Sequence, residues 1–276
     1  MLEEVFASAK RRKRPAFIAF LVAGDPSLAA TSDMISALAD SEVDLLELGM
    51  PFSDPIADGP TIAAAGSRAL ARHIQLGDLL TLASDQSRLP VAIFSYFNPI
   101  LHYGVTRFSR DAAAAHVRAV IVPDLSLESS VSFRNTFQAV GIAVPLFVAP
   151  TTSPERLPKI AAAATGFVYV VARLGVTGTE RAIETDQLAA RAATLRKLTP
   201  LPLAVGFGVG SREEFTAIER FADGVVVGSA LIDAYVASDG DPSGAVIQKI
   251  RALRAAPDVM AVERSDSEKG AYVKML

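Results

Sequence analysis

Three carboxylates, Glu47, Asp54 and Asp58, lie at the end of an apolar run and in the loop that follows it, within residues 43–60, whose sequence is VDLLELGMPFSDPIADGP. Glu47 stands near the end of an apolar run that is typical of a buried strand, and Asp54 and Asp58 follow in a proline-rich loop. A carboxyl group at a strand end can exchange protons with a bound molecule, so Glu47 is a candidate acid–base residue. The residues alone do not decide whether Asp58 has a chemical role, because an Asp before a Gly also forms ordinary turns. Asp54 equally fits a Ser-Asp-Pro turn.

Glycines in the last third of the sequence indicate a phosphate site. Gly206 and Gly208 follow one apolar run, and Gly228 and Ser229 follow the next. Glycine lets the backbone approach an anion closely, and the start of a helix presents N–H groups to negative charge. Glycines also make plain turns, but two such places on successive strands favour phosphate binding.

The segment GVTG, residues 175–178, carries another pair of glycines between a predicted strand and a distant helix. This arrangement predicts a lid over residues 175–181 that closes over the site and excludes water. Thr177 would then be able to form a hydrogen bond with a carboxylate of the site. A flexible surface loop is the alternative interpretation.

Several catalytic chemistries are disfavoured by what the sequence lacks. The chain has no cysteine, which excludes thiolate metal ligands and cysteine nucleophiles. Its lysines do not follow predicted strands, which disfavours a Schiff-base aldolase, and its three histidines are not paired at the spacing of zinc ligands. No metal site is therefore predicted. Proton transfer by carboxylates on a phosphate ester remains, provided that the substrate itself accepts the electrons of the breaking bond.

Eight nearly continuous apolar runs predict the strands that must position these residues. Apolar runs without alternation are typical of strands that are buried on both faces of a parallel sheet. The runs are 16–22, 43–48, 91–96, 118–123, 143–148, 166–172, 201–207 and 222–228. Segments rich in Ala, Leu, Glu and Arg predict helices, among them 27–41, 126–140, 153–164, 185–198 and 211–221.

Eight strand–helix pairs predict a single (β/α)8 TIM barrel with an extra N-terminal helix, since this α/β fold typically takes about 250 residues. A doubly wound open sheet is the alternative. The barrel is predicted to span residues 1–257, and the polar tail 258–276 is expected to be poorly ordered. Because the carboxyl ends of barrel strands meet at one mouth, Glu47 is expected to lie near the phosphate site at the ends of strands 7 and 8.

The overall composition argues against several other classes of protein. A net charge of −3 gives no reason to expect nucleic acid, and the basic cluster Lys10 to Arg14 is interpreted as the solvated end of a first helix. No apolar run approaches the roughly 20 residues that span a bilayer, and the N-terminus lacks the apolar stretch of a secretory signal. We therefore expect a cytoplasmic protein.

Four motifs resemble those of the tryptophan synthase alpha subunit family: LELGMPFSDPIADGPTI (46–62), GVTG (175–178), GFGV (206–209) and GSAL (228–231). AFLVAGDP (19–26) and IVPDL (121–125) fit the same family, and the resemblance is collinear over roughly residues 1–255. It implies a retro-aldol cleavage of indole-3-glycerol phosphate to indole and glyceraldehyde 3-phosphate. The electron acceptor is then the indole ring, which becomes an indolenine when its C3 is protonated.

The resemblance also implies roles for single residues. Glu47 matches the family's general acid–base residue, and Asp58 matches the carboxylate that binds the indole N–H, so both are predicted to be catalytic. Thr177 matches the lid residue that meets the catalytic aspartate. The other predicted substrate contacts are Phe20, Tyr96, Tyr169 and Phe207 as walls of the indole site, and Gly178, Gly206, Phe207, Gly208, Gly228 and Ser229 around the phosphate.

A partner is implied as well. In this family the alpha subunit passes indole to a beta subunit within an α2β2 heterotetramer, and Asp54 lies in the loop that faces that partner. The alpha subunit has no cofactor of its own, and pyridoxal phosphate is expected only in the beta subunit. Two alternatives remain open. One is a free-standing indole-releasing lyase, and the other is a catalytically weak regulatory subunit that binds a phosphate ligand and stimulates the beta subunit.

Overall fold

Eight parallel strands form one sheet that closes into a barrel. The computed structural model describes residues 2–85, 88–173 and 184–255. The strands are β1 Ala16–Val22, β2 Leu45–Gly49, β3 Val91–Phe94, β4 Ala119–Ile121, β5 Leu146–Val148, β6 Val168–Val171, β7 Leu203–Gly206 and β8 Gly224–Val227. Their order is β4-β3-β2-β1-β8-β7-β6-β5, and a parallel bridge between Ala119 and Ala143 joins the two ends of the sheet. The predicted (β/α)8 barrel is confirmed, and the open doubly wound sheet is wrong.

Helices connect the strands and surround the barrel. The first of them, α1 Leu2–Arg11, precedes β1 and confirms the predicted extra N-terminal helix. The others in the described residues are α2 Leu28–Ala39, α3 Pro60–Leu70, α4 Leu76–Ser84, α5 Phe97–Tyr103, α6 Val105–Ala114, α7 Val131–Gln138, α8 Leu157–Ala163, α9 Thr185–Arg196, α10 Arg212–Glu219, α11 Ser229–Val236 and α12 Pro242–Arg254.

The strands are buried on both faces, as their continuous apolar sequences predict. Every residue of β1, β2, β7 and β8 is buried. Each predicted strand overlaps an observed one, although the observed ladders are mostly shorter because pairing stops where the chain turns toward a helix. The register places Glu47 beside Phe20 of β1 and Ala92 of β3. Paired residues of a parallel sheet share a face, so Phe20 and Glu47 point to the same side of the wall.

Helix starts are fixed by side-chain caps that the sequence contains. The Ser27 hydroxyl accepts a hydrogen bond from the Ala30 N–H at the start of α2. At the start of α10, Ser211 and Glu214 form a capping box, in which each side chain accepts a hydrogen bond from the backbone N–H of the other. The helices predicted over 126–140 and 153–164 begin later than expected, at Val131 and Leu157, because turns precede them.

The basic cluster after α1 is only partly solvated, which corrects the sequence interpretation. Asp44 lies at the amino end of β2 with a side chain that is 4% exposed, and Arg12 and Arg14 both form ion pairs with it. The Phe17 N–H also donates to Asp44 Oδ2 at 2.8 Å. The two arginines therefore neutralise a buried carboxylate and fasten the end of α1 to β1 and β2.

No helix within the described residues is long and apolar enough to cross a membrane. The predicted lid over 175–181 and the tail 258–276 lie outside the described residues. The predicted domain boundary at residue 257 therefore stays a prediction.

Candidate active site

Glu47 lies inside the barrel near the carboxyl end of β2, and its side chain is fully buried. Tyr169 reaches it from β6, on the opposite side of the barrel, and donates its hydroxyl to Glu47 Oε2 at 3.4 Å. Within the described residues, Glu47 Oε1 has no hydrogen-bond partner. Burial in this apolar environment raises the pKa of Glu47 to about 8, and the Tyr169 hydroxyl opposes the rise only weakly. The carboxyl group is therefore protonated at neutral pH.

Asp58 lies in the loop between β2 and α3, directly before Gly59, which caps α3. Tyr96 forms hydrogen bonds with this loop. Its hydroxyl accepts a hydrogen bond from the Ala57 N–H at 2.9 Å and also bonds to the Asp58 carboxylate. Burial raises the pKa of Asp58 to about 6, although the bond from Tyr96 acts in the opposite direction. Asp58 is therefore mostly ionised at pH 7, where Glu47 is mostly protonated.

A cleft opens at the mouth between the Asp58 loop and the glycines that follow β7 and β8. Its lining consists of Phe20, Asp58, Ile62, Phe94, Tyr169, Phe207, Gly208, Val226, Gly228 and Ser229. The structure thus brings together most of the predicted substrate contacts. Glu47 adjoins this lining through its hydrogen bond to Tyr169.

Aromatic rings form the apolar side of the cleft. Tyr169 packs on Phe147 with ring centroids 4.7 Å apart and meets Phe207 edge-on at 5.5 Å. Phe20 meets the edge of Phe94 at 5.6 Å. The sequence analysis did not select Phe94 or Phe147. Phe94 stands two residues before Tyr96, and the alternation of a strand would have placed both on one face.

Two of the aromatic residues predicted to line the indole site, Tyr96 and Tyr169, make contacts that the sequence did not indicate. Tyr96 lines a crevice that adjoins the cleft and shares Phe20, Asp58, Ile62 and Phe94 with it, and the Tyr96 ring stacks on Phe52 at 5.1 Å. Tyr96 also contacts the Asp58 loop, and its predicted role as a wall of the indole site stays a prediction. Tyr169 does line the cleft, but its hydroxyl also holds Glu47, which the sequence did not indicate.

The loop after β7 has the backbone that an anion site needs. Phe207 and Gly208 have consecutive positive φ angles of 71° and 94°. A positive φ is uncommon for a residue with a side chain such as Phe207, and strained backbone of this kind concentrates at functional sites. After the neighbouring strand β8, Gly228 precedes the first residue of α11, Ser229, as predicted. The N-terminus of α11 therefore points its free N–H groups toward the mouth.

Glycines in the barrel wall leave room for the aromatic side chains. A Cβ on Gly206 would lie 2.8 Å from the Tyr169 hydroxyl, and a Cβ on Gly49 would lie 2.7 Å from the Phe20 ring. Gly228 is also tight against Phe20, at 3.1 Å. Gly206 was predicted as a phosphate contact, and the structure gives it a steric role beside Tyr169. Gly49 was not selected, since nothing in the sequence shows which side chain crosses it.

Three residues of the sequence analysis remain. Asp54 is exposed, and Thr177 and Gly178 are not among the described residues. Asp54 is exposed on the loop between β2 and α3, away from the cleft lining. Thr177 and Gly178 lie outside the described residues, so their predicted contacts stay predictions. Among the residues that the structure describes, no group of three or more His, Cys, Asp or Glu side chains could hold a metal ion.

The fold and the site define a class of protein. It is a (β/α)8 barrel whose mouth holds a protonated and an ionised carboxyl group beside a glycine-rich loop and a helix N-terminus.

Comparison with known proteins gives the family. The family model described as tryptophan synthase alpha chain matches residues 6–258. A tryptophan synthase alpha chain from Lactiplantibacillus plantarum is 40% identical over 259 residues, which cover 92% of this chain and 97% of that one. A tryptophan synthase from Saccharomyces cerevisiae is 41% identical over 237 residues, which cover 84% of this chain and 33% of the longer yeast protein. A structure of Mycobacterium tuberculosis tryptophan synthase has a TM-score of 0.84 and 33% identity, covering 92% of this chain and 98% of the other.

The chain belongs to the tryptophan synthase alpha chain family. The predicted enzyme class, a carbon–carbon lyase of tryptophan biosynthesis, is thereby confirmed. The fold prediction is confirmed by the same structural comparison.

Proposed function

We propose that this chain cleaves indole-3-glycerol phosphate, with Glu47 as the acid–base residue and Asp58 as the residue that stabilises positive charge. The observation that carries the proposal is the difference between the two carboxyl groups. Burial raises the pKa of Glu47 to about 8 and that of Asp58 only to about 6. Between these values one group carries a proton and the other a negative charge, so a single mouth offers both an acid and an anion.

The first step is proton transfer from Glu47 to C3 of the indole ring. Positive charge then develops on the ring nitrogen, and the ionised Asp58 accepts a hydrogen bond from the indole N–H and stabilises that charge. Glu47 has meanwhile become an anion in an apolar, fully buried place. Because burial disfavours the charged form, Glu47 is now a strong base.

The second step breaks the carbon–carbon bond. Glu47 removes the proton from the hydroxyl group on the carbon bonded to C3, and the O–H electrons form the aldehyde C=O. The electrons of the carbon–carbon bond return to the ring and neutralise the indolenine. Glu47 ends protonated, and the products are indole and glyceraldehyde 3-phosphate. The Tyr169 hydroxyl, 3.4 Å from Oε2, keeps the carboxyl group oriented throughout.

The two ends of the cleft suit the two ends of this substrate. Phe20, Phe94, Tyr169 and Phe207 supply flat apolar surface for the indole ring. Gly208, Gly228 and Ser229 supply backbone N–H groups for the phosphate. The assignment of Thr177, Gly178 and Gly206 to substrate binding rests on the family motif.

The proposed partner is a tryptophan synthase beta subunit, in an α2β2 complex in which only the beta subunit carries pyridoxal phosphate. The loop that holds Asp58 also displays Ile56, which is 77% exposed, beside the exposed Asp54. Leu101 on α5 is also exposed, and a protein partner that covered these two apolar side chains would remove them from water. The longer yeast tryptophan synthase fits this proposal. The match to this chain covers a third of the yeast protein, and the rest of that protein has room for the part that a separate beta subunit would supply here. We place the complex in the cytoplasm, without nucleic acid or membrane.

An assay for indole release tests the reaction. The purified chain is given indole-3-glycerol phosphate with and without a beta subunit, and Glu47→Gln is compared with Glu3→Gln, which makes the same substitution at an exposed residue of α1. We expect Glu47→Gln to keep the fold but to lose indole formation by about 100-fold or more, since general acid catalysis contributes that much. Near-normal turnover of Glu47→Gln would contradict the acid–base assignment.

The same assay separates the alternatives. High activity without a beta subunit would support a free-standing lyase. Negligible cleavage with or without the partner, combined with stimulation of the beta subunit, would support a regulatory subunit.

A further inference from the structure

The segment 206–211, GFGVGS, joins β7 to α10 and has little intrinsic preference for one shape. Three of its six residues are glycines, and Phe207 and Gly208 both have positive φ angles. A glycine-rich loop loses much conformational entropy when it is fixed, so its native shape must be imposed by contacts from outside. We call this segment the phosphate loop.

Three charged side chains from separate elements hold the phosphate loop. Glu214 Oε2 accepts hydrogen bonds from the N–H groups of Gly210 at 2.8 Å and Ser211 at 3.1 Å. Lys249 of α12 donates to the Gly210 carbonyl at 3.0 Å. Arg173, at the end of β6, donates to the Gly208 carbonyl and also pairs with Glu214 Oε1 at 2.8 Å.

Glu214 is the centre of this arrangement. Glu214 binds the loop directly and also orients Arg173, whose side chain is 11% exposed and lies so close to Gly208 that a Cβ there would clash with it. The bonds of Glu214 use the N–H groups of Gly210 and Ser211. Within the described residues, those of Gly208 and Val209 make no hydrogen bond.

We propose that Glu214 is a positioning residue for the phosphate subsite. It fixes the phosphate loop in the one shape that leaves the Gly208 and Val209 N–H groups available to an anion. The inference deepens the proposed function, on which it rests, and concerns a residue that does not itself touch the substrate.

Electrostatics alone makes the opposite prediction, which makes the inference testable. Glu214 and Asp233 both border the depression that contains Gly208 and Ser229. A negative charge near the site repels phosphate, so removing either carboxylate would strengthen phosphate binding if charge were all that mattered. Positioning predicts that the loss of Glu214 weakens binding, because its hydrogen bonds define the loop.

The test measures the dissociation constant of glycerol 3-phosphate for the full chain by calorimetry. We expect Glu214→Ala to bind about tenfold more weakly, the effect of losing hydrogen bonds to a charged group. Glu214→Gln keeps an oxygen that can accept a hydrogen bond from the loop, so its affinity for glycerol 3-phosphate should lie between those of the wild type and Glu214→Ala. Glu219→Ala, at the exposed end of the same helix, should match the wild type, and Asp233→Asn should bind equally or more tightly.

Turnover gives a second readout that a merely structural role would not produce. Glu214→Ala should raise KM for indole-3-glycerol phosphate and leave kcat within about twofold, since uniform binding is lost. Equal or tighter binding of glycerol 3-phosphate by Glu214→Ala would overturn the inference and leave the phosphate site standing. If the wild type itself failed to bind glycerol 3-phosphate, the proposed function would fail first.

Discussion

Glu47 and Asp58 are both carboxylic acids, and their surroundings give them different protonation states. Glu47 is fully buried among apolar side chains and, within the described residues, makes one long hydrogen bond, whereas Asp58 lies on a loop beside the Tyr96 hydroxyl. Burial raises both pKa values, to about 8 and about 6. Within this range the chain holds the protonated acid and the carboxylate that the proposed reaction needs.

The pH dependence of kcat/KM should therefore be bell-shaped. Activity falls as the pH drops through about 6, where Asp58 gains a proton, and falls again above about 8, where Glu47 loses its proton. The second ionisation of the substrate phosphate also lies near pH 6, so the alkaline limb is the decisive one. Initial rates of indole release across the pH range check this. A rate that still rises above about pH 9 would exclude Glu47 as the required acid.

Among the elements, β7 shows how a strand positions chemistry on a neighbouring strand. Gly206 pairs with Val171 of β6, and its missing side chain leaves space for the Tyr169 hydroxyl to approach Glu47. A glycine at this position is thus needed for the Tyr169 hydroxyl to reach the acid–base residue.

Gly206→Ala should lower kcat by about 10- to 100-fold, because its Cβ would come within 3 Å of both the Tyr169 hydroxyl and Val226. We also expect a loss of about 1–3 kcal/mol in the free energy of unfolding from overpacking. Gly77→Ala, in α4, is the matched control, since a Cβ there would meet no atom within 4 Å. Thermal unfolding and steady-state rates measure both effects. An unchanged kcat in Gly206→Ala would show that Tyr169 does not position Glu47.

The sequence predicted the elements better than the contacts between them. Apolar runs locate strands, and Ser211 with Glu214 marks a helix start, because both signals are local. The hydroxyl of Tyr169 meets Glu47 across the barrel, and Asp44 meets Arg12 and Arg14 from a distant segment. Such contacts depend on how the whole wall closes, which no local pattern encodes. The same holds for the raised pKa of Glu47, which follows from its complete burial.

At the scale of the whole molecule, the loop that carries Asp58 has one side against the barrel and one side exposed to solvent. Its inner side bonds to Tyr96, and its outer side displays Ile56. A partner that covers Ile56 would therefore contact the same short segment that carries Asp58. Under the proposed function, association with a beta subunit would alter the rate of cleavage through this loop.

Ile56→Asp should weaken the stimulation of cleavage by a beta subunit by about tenfold or more, since a charge placed in a buried apolar contact is costly. Titrating the beta subunit into the indole assay measures the effect. Leu198→Asp, a change at an exposed apolar residue just beyond α9 and toward the other end of the barrel, is the control. Equal stimulation of the two variants would remove Ile56 from the partner surface.

The barrel wall is not uniform around its circumference. Between β4 and β5 it is joined at the bridge of Ala119 and Ala143, whereas the other neighbouring strands in the described barrel share ladders of two or more residue pairs. Glu47, Phe20, Tyr169, Gly206 and Gly228 all belong to strands of the better-joined arc or follow directly from them. Local opening costs least where the fewest hydrogen bonds must break. Local opening of the wall should therefore cost least at this seam, which lies outside the ladders that hold Glu47 and Tyr169 in the wall.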